Sequence, residues 1–197
     1  MPRISNDRRD RVRRAIIDAA ADCFADKGFA ATSISEICAA ANMSVGGIYR
    51  HFAGKDELVD AVSEAILTPV IEALDAAAHG PDVLDTAEVI DLLHTTLLQC
   101  APGSEPRLMV GQFWAELLRD PTFPGSRQEL GTALRAGLTR LVVRANPDTP
   151  EPERLTAALM AIGMGVFLSQ SIDDTETSTR ELIDAISVLL RHGLPST

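Results

Sequence analysis

Apolar positions in this chain recur at the spacing of a helix, and no stretch alternates with the period of two that a half-buried strand needs. Val12, Ile16, Ala19, Ala20, Cys23 and Phe24 fall on one stripe. They predict a first helix from about Arg8 to Lys27, ended by Gly28, where a left-handed residue is least costly. A second helix follows Ser33, whose hydroxyl can cap the first turn while Glu36 reaches back to the Ser33 amide, a capping box. Ile34 and Ile37 face inward with Cys38 and Ala41 close to the same side, and Asn42 suits the break. Ser44 is the N-cap of a third, short helix that runs to about His51. Ala53-Gly54 interrupts the chain again, and Lys55-Asp56-Glu57-Leu58 opens a long fourth helix to about Ala78.

The rest reads as helices too: about Asp85 to Cys100, Pro106 to Arg119, Gly125 to Ala145, Glu153 to Ser171 and Ser178 to His192. Ala101-Pro102-Gly103, Asp120-Pro121 and the loop from Asn146 to Pro152 separate them. No internal repeat is visible, and the expected class is all-α. The last two helices are more apolar than one core can absorb. Leu155, Leu159, Ile162, Val166 and Phe167 nearly encircle one, with Gly163 and Gly165 permitting close approach. Leu182, Ile183, Ile186, Leu189 and Leu190 form a wide stripe on the other. A helix apolar on several sides must be covered from several directions. A two-fold homodimer through a four-helix bundle does this, with Leu159, Ile162, Val166, Leu182, Ile183, Ile186, Leu189 and Leu190 at its interface. Burial within the monomer is the competing reading.

Composition agrees with helices, since aromatic residues are only 4% and alanine and leucine dominate. Three cysteines (Cys23, Cys38, Cys100) without CxxC spacing speak against a disulfide framework or a metal site. No charged-then-apolar leader is seen. The longest uncharged stretch, Leu155 to Ile172, is broken by Thr156, Ser169, Gln170 and Ser171 and suits a buried helix better than a membrane span. A cytoplasmic location with no membrane partner is expected. His51, His79, His94 and His192 are scattered without carboxylate pairs or a nucleophile motif, so neither catalysis nor a cofactor is expected.

Net charge is −10, which at first argues against a nucleic-acid partner. Its distribution reverses that. Residues 1–55 hold nine basic and six acidic side chains, a net +3, while residues 56–197 hold a net −13. A basic head on an acidic body suits one end to a polyanion. The head also contains two short helices joined by a tight turn, the arrangement of a helix-turn-helix. On the second of these, Ser44, Tyr49, Arg50 and His51 offer hydrogen-bond donors, and Gly46 and Gly47 leave room for backbone to approach a groove wall. Two glycines in so short a helix cost roughly 1 kcal/mol each relative to alanine, a cost that close approach to a partner explains.

The run from Phe24 to Leu58 closely resembles the DNA-binding domain of the tetracycline-repressor (TetR) family. Phe24-x₃-Gly28-Phe29, the Thr32-Ser33 cap, Ser44-x-Gly46-x-Ile48-Tyr49-x-His51-Phe52 and Lys55-x-x-Leu58 carry the likeness. A weaker likeness to sensor domains of that family covers Gln112 to Pro121. The resemblance implies about nine helices in a homodimer, with residues 1–54 as the helix-turn-helix domain and 55–197 as the ligand-sensing and dimerisation domain. It implies a palindromic double-stranded DNA operator as partner and repression relieved by a small apolar or amphipathic effector. A protein of the same fold without an effector is the alternative.

Roles follow from the matched positions. Thr32 and Ser33 would set a helix N-terminus on a phosphate. Val45, Gly46 and Gly47 would face bases, Tyr49 and Lys55 would contact phosphates, and His51 a phosphate or nearby base. Arg50 sits where the family varies, and both guanine and phosphate stay open for it. Ile48 and Phe52 are read as core. The family's sensors bind a small molecule between helices. The candidate lining here is Cys100, Met109, Gln112, Phe113, Trp114 and Leu117, with Met160, Met164, Phe167 and Leu168 opposite. Gln112 or Trp114 would supply the polar handle of an otherwise adaptable apolar cavity.

Overall fold

The computed structural model describes residues 3–119, 126–172 and 179–192. Among them the chain forms α1 (Arg3–Ala31), α2 (Ile34–Ala40), α3 (Val45–Tyr49), α4 (Lys55–His79), α5 (Thr86–Cys100), α6 (Pro106–Arg119), α7 (Ser126–Ala145), α8 (Pro152–Ile172) and α9 (Thr179–His192), with no strand. The all-α expectation holds. No helix of the described residues is long and apolar enough to cross a membrane.

Three boundaries differ from the expectation: α1 begins at Arg3, ahead of Arg8, and two others differ for physical reasons. Gly28 does take a positive φ of 79°, but it kinks α1 instead of ending it, and helical structure continues to Ala31. The extra turn forms because Phe29 is buried against Phe24, ring centroids 4.7 Å apart. The Thr32 hydroxyl then closes the turn by donating to the carbonyls of Gly28 and Cys23. At the other difference, α3 stops at Tyr49, two residues short of His51, which belongs to the following turn.

The chain divides into two compact units, the first made of residues 1–69 and 97–131, the second of 70–96 and 132–197. In the first, α1 packs against α2 and α6. Ile16, Phe24, Ile37, Ile48, Phe52, Leu58 and Met109 are fully or almost fully buried there. The turn after α5 is tied to α1: the Ser104 amide and hydroxyl both donate to Asp22 Oδ1, at 2.6 and 2.9 Å. Gly103 makes this possible with φ +88°, and a Cβ there would lie 2.8 Å from the same carboxylate oxygen.

In the second unit, Leu74, Ile90, Leu138, Leu159, Val166, Phe167 and Ile183 make the core. His94 holds α5 to α8, its Nε2 lying 3.0 Å from the Gly163 carbonyl and its ring edge-on to Phe167. Arg144 donates to the carbonyls of Ala77, Ala78 and Gly80, satisfying acceptors that the end of α4 leaves open. Asp85 and Glu88 cap α5 reciprocally, and Arg180 of α9 pairs with Asp85 at 3.1 Å. The Asp85 carboxyl is held below its usual range by the Glu88 amide first, with Arg180 adding to it.

Candidate nucleic-acid interface

The head is assembled from two short capped helices. Ser33 caps α2 as the sequence predicts: its hydroxyl accepts from the Glu36 amide, while the Glu36 carboxylate accepts from the Ser33 amide at 2.8 Å. Lys27 of α1 pairs with the same carboxylate at 2.5 Å. Lys27 above all, with the Ser33 amide and hydroxyl, holds the Glu36 pKa down to about 2, and Glu36 in turn raises that of Lys27. Asn42 turns the chain with φ 50°. Ser44 then caps α3 by accepting from the Gly47 amide at 3.1 Å.

This geometry separates the matched positions into an outer and an inner set. Val45 and Tyr49 are 47% and 52% exposed on this five-residue helix. Ser33, Ser44, Gly46 and Arg50 are exposed too, and a Cβ at Gly46 would meet nothing. Gly47 is different. It is buried, and a Cβ there would come within 3.2 Å of Met43 and 3.3 Å of Ser44 Oγ, so its glycine serves packing within the head. Thr32 is likewise turned inward at 2% exposure, with its hydroxyl committed to α1 carbonyls. Lys55 is half-buried and donates to the Ala30 carbonyl at 3.0 Å, where a cation also complements the negative end of α1. Ile48 and Phe52 are core, as read from their spacing.

Arg13 is a residue the sequence reading left unassigned. Its guanidinium donates to the His51 carbonyl at 3.1 Å, lies 4.2 Å from the Phe52 ring centroid and sits 4.0 Å from Glu57. It therefore fastens α1 to the segment that follows α3. The only hint in the sequence is its place on the same side of α1 as Arg9, one turn earlier.

The candidate sensor residues fall in both units. In the first, Met109 and Phe113 are buried, and Trp114 is half-buried with its ring edge-on to Phe113. The indole Nε1 of Trp114 is buried and finds no acceptor among the described residues. Gln112 reaches the kink of α1, its Oε1 3.3 Å from where a Gly28 Cβ would stand. Cys100 is exposed in a groove with Arg14, Asp18 and Asp22. In the second unit, Met160 and Met164 are half-buried, Phe167 is buried, and Leu168 is 44% exposed. Of the candidate dimer residues, Leu159, Val166 and Ile183 are buried, while Ile162, Leu182 and Ile186 are half-buried. The side chains of Leu117, Leu189 and Leu190 lie outside the described residues, as do Asp120 and Pro121.

The model of the bacterial regulatory proteins of the tetR family matches residues 16–62, from the middle of α1 into α4. Over those residues the chain is similar to that family's DNA-binding segment. The HTH-type transcriptional repressor Rv3405c of Mycobacterium tuberculosis is 40% identical over 79 residues, covering 40% of this chain and 42% of that one. The chain thus spans less than half the length of that relative. Among solved structures, a transcriptional regulator of Aquifex aeolicus shares the fold with a TM-score of 0.68 over 91% of this chain and 98% of that one, at 19% identity. AibR, solved in complex with isovaleryl coenzyme A and operator DNA, matches with a TM-score of 0.62 at 16% identity, over 89% of this chain and 95% of that one.

Proposed function

We propose that the protein is a sequence-specific DNA-binding transcription regulator, a homodimeric repressor released from a palindromic operator by a small apolar or amphipathic ligand. Residues 1–54 carry the DNA-binding role and 55–197 the sensing and dimerising one. The observation that supports DNA binding best is α3 itself: Ser44 caps it, Ile48 anchors it, and Val45, Gly46, Tyr49 and Arg50 are left outward. Ser33 lies beside this face at the start of α2. With few hydrogen-bonding groups at Val45 and Gly46, base reading leans on apolar contact such as that with a thymine methyl. Two-fold symmetry sets the two recognition helices about 34–36 Å apart, one turn of DNA.

Dimerisation through α8 and α9 is supported by apolar surface the monomer leaves open: Leu155 at 43%, Leu168 at 44% and Val188 at 48% exposure. A ligand is supported by the buried Trp114 N–H, since leaving a donor unsatisfied costs about 1–3 kcal/mol that a ligand acceptor would recover. It is supported as well by AibR, which was solved with both an acyl thioester and operator DNA. Anisotropy of the intact protein on its own upstream region and on a scrambled duplex tests the reading. Preference for the upstream duplex at physiological salt is expected, and equal affinity for the two would overturn it. An effector should quench Trp114 and weaken DNA binding by about 5–150-fold. Quenching without that loss would leave a ligand-binding protein whose DNA affinity is not switched.

A further inference from the structure

We propose that the groove between the start of α1 and the end of α3 is an anion site on the head, seating one phosphate of the DNA backbone. The inference rests on the DNA-binding reading above and adds to it a site on α1. Arg8, Arg9, Val12, Met43, Arg50 and His51 line a concavity of about 550 Å³. Three guanidiniums and an imidazole converge there, and no carboxylate is among the lining residues.

Convergence without counter-charge is the first argument. Several arginines elsewhere are neutralised: Arg140 pairs with Asp75, Arg154 with Glu151 and Arg180 with Asp85. Arg8, Arg9 and Arg50 are exposed and make no ion pair among the described residues. Like charges gathered around one concavity repel one another until an anion enters, and a phosphodiester presents two oxygens that a guanidinium fork matches.

Rigidity of the walls is the second. Arg13, one turn beyond Arg9, binds the His51 carbonyl and stacks on Phe52, so the two sides of the groove are fastened just below it. A site whose width is set before binding loses less freedom when the ligand arrives. Place is the third argument. Arg50 and His51 directly follow Tyr49, so a phosphate in the groove lies at the end of the outward face of α3. Arg50 is then a backbone contact and not a reader of guanine. A groove of this kind fixes register and orientation on the duplex and carries no sequence information of its own.

The test is a salt series of binding by the intact chain to its upstream duplex and to a scrambled one. Arg9→Ala and Arg50→Ala should each lower the slope of log K against log salt, and the Arg8→Ala/Arg9→Ala pair by no more than about one unit, because a single phosphate is seated, equally on both duplexes. Arg11→Ala removes the same charge from the same helix outside the groove and should leave the slope unchanged. All four variants should melt as the wild type does, because the altered side chains are exposed. Inorganic phosphate titrated at constant ionic strength should not compete with the duplex. Competition would make this a site for the free ion and overturn the inference. Unchanged slopes for Arg9→Ala and Arg50→Ala, with wild-type binding intact, would remove the groove while leaving the DNA-binding reading standing. A loss equal to theirs in Arg11→Ala would show diffuse attraction and no site. Loss of preference at a single base step in Arg50→Ala would return that residue to base reading. A wild type that binds neither duplex would overturn the DNA-binding reading itself, and the groove with it.

Discussion

The head and the last two helices solve opposite problems. In α2 and α3, helices of seven and five residues are too short to hold themselves, and they are kept by caps and by single anchors such as Ile37 and Ile48. The N-terminal ends are closed, Ser33 with Glu36 and Ser44 with Gly47, and Lys55 meets the Ala30 carbonyl at the end of α1. The outward surface is thereby left for another molecule. α8 is 21 residues long, needs no cap to persist, and exposes Leu155 and Leu168 while burying Val166 and Phe167. Polar chemistry at the surface positions the first region, whereas apolar surplus marks the second. The lesson is that short helices are held by polar caps that free an outward face, whereas a long one marks a partner by the apolar surface it leaves open.

The largest effect expected is on the anchors. Phe52→Ala should cost about 3–5 kcal/mol of stability by opening a cavity under Arg13, read from denaturant unfolding. A loss below 1 kcal/mol would mean that caps alone hold the head. Ile186→Glu comes next. If α9 lies in a dimer interface, the charge costs about 3 kcal/mol there and sedimentation should show monomer. An undisturbed dimer would break the comparison on its apolar side. Gly103→Ala should cost about 1–2 kcal/mol because alanine resists the left-handed backbone that the turn beside Asp22 requires. An unchanged melting temperature would show that this turn does not matter to the fold.

The smallest is Ser33→Ala, about 1 kcal/mol, with loss of the capping box. Its partner Glu36 adds a pH dependence of known sign. Its carboxyl is depressed from 4.5 to about 2, so its contribution is complete above pH 4.5 and is lost as pH falls through about 2. The gap in urea midpoint between wild type and Glu36→Gln should close over that window, and a gap that persists at pH 2 would contradict it.

Local signals explain what could be read in advance. Ser33, Glu36 and Ser44 act within three or four residues, so their spacing in the chain is their spacing in space. Gly28 was legible as a left-handed residue but not as a kink, because the extra turn depends on Phe29 finding Phe24. The Asp22 and Ser104 contact joins residues 82 apart, and nothing near either one announces the other. Arg8 and Arg9 are visible as basic residues, yet only the fold sets them opposite Arg50. α8 hides its inner face for a different reason. Apolar almost all round, it has no periodicity to show that Phe167 turns in and Leu168 out.

The first compact unit joins residues 1–69 to 97–131, and this has a consequence for synthesis. On the ribosome α1 to α3 emerge early, but Met109 and Phe113, which fill the unit's core, are still to be made. Until α6 leaves the exit tunnel, the part of α1 that packs against α6 has no permanent cover. Maturation of the head is therefore a late event of translation, and a chain arrested before Pro106 should present a protease-sensitive head despite containing every residue of the helix-turn-helix.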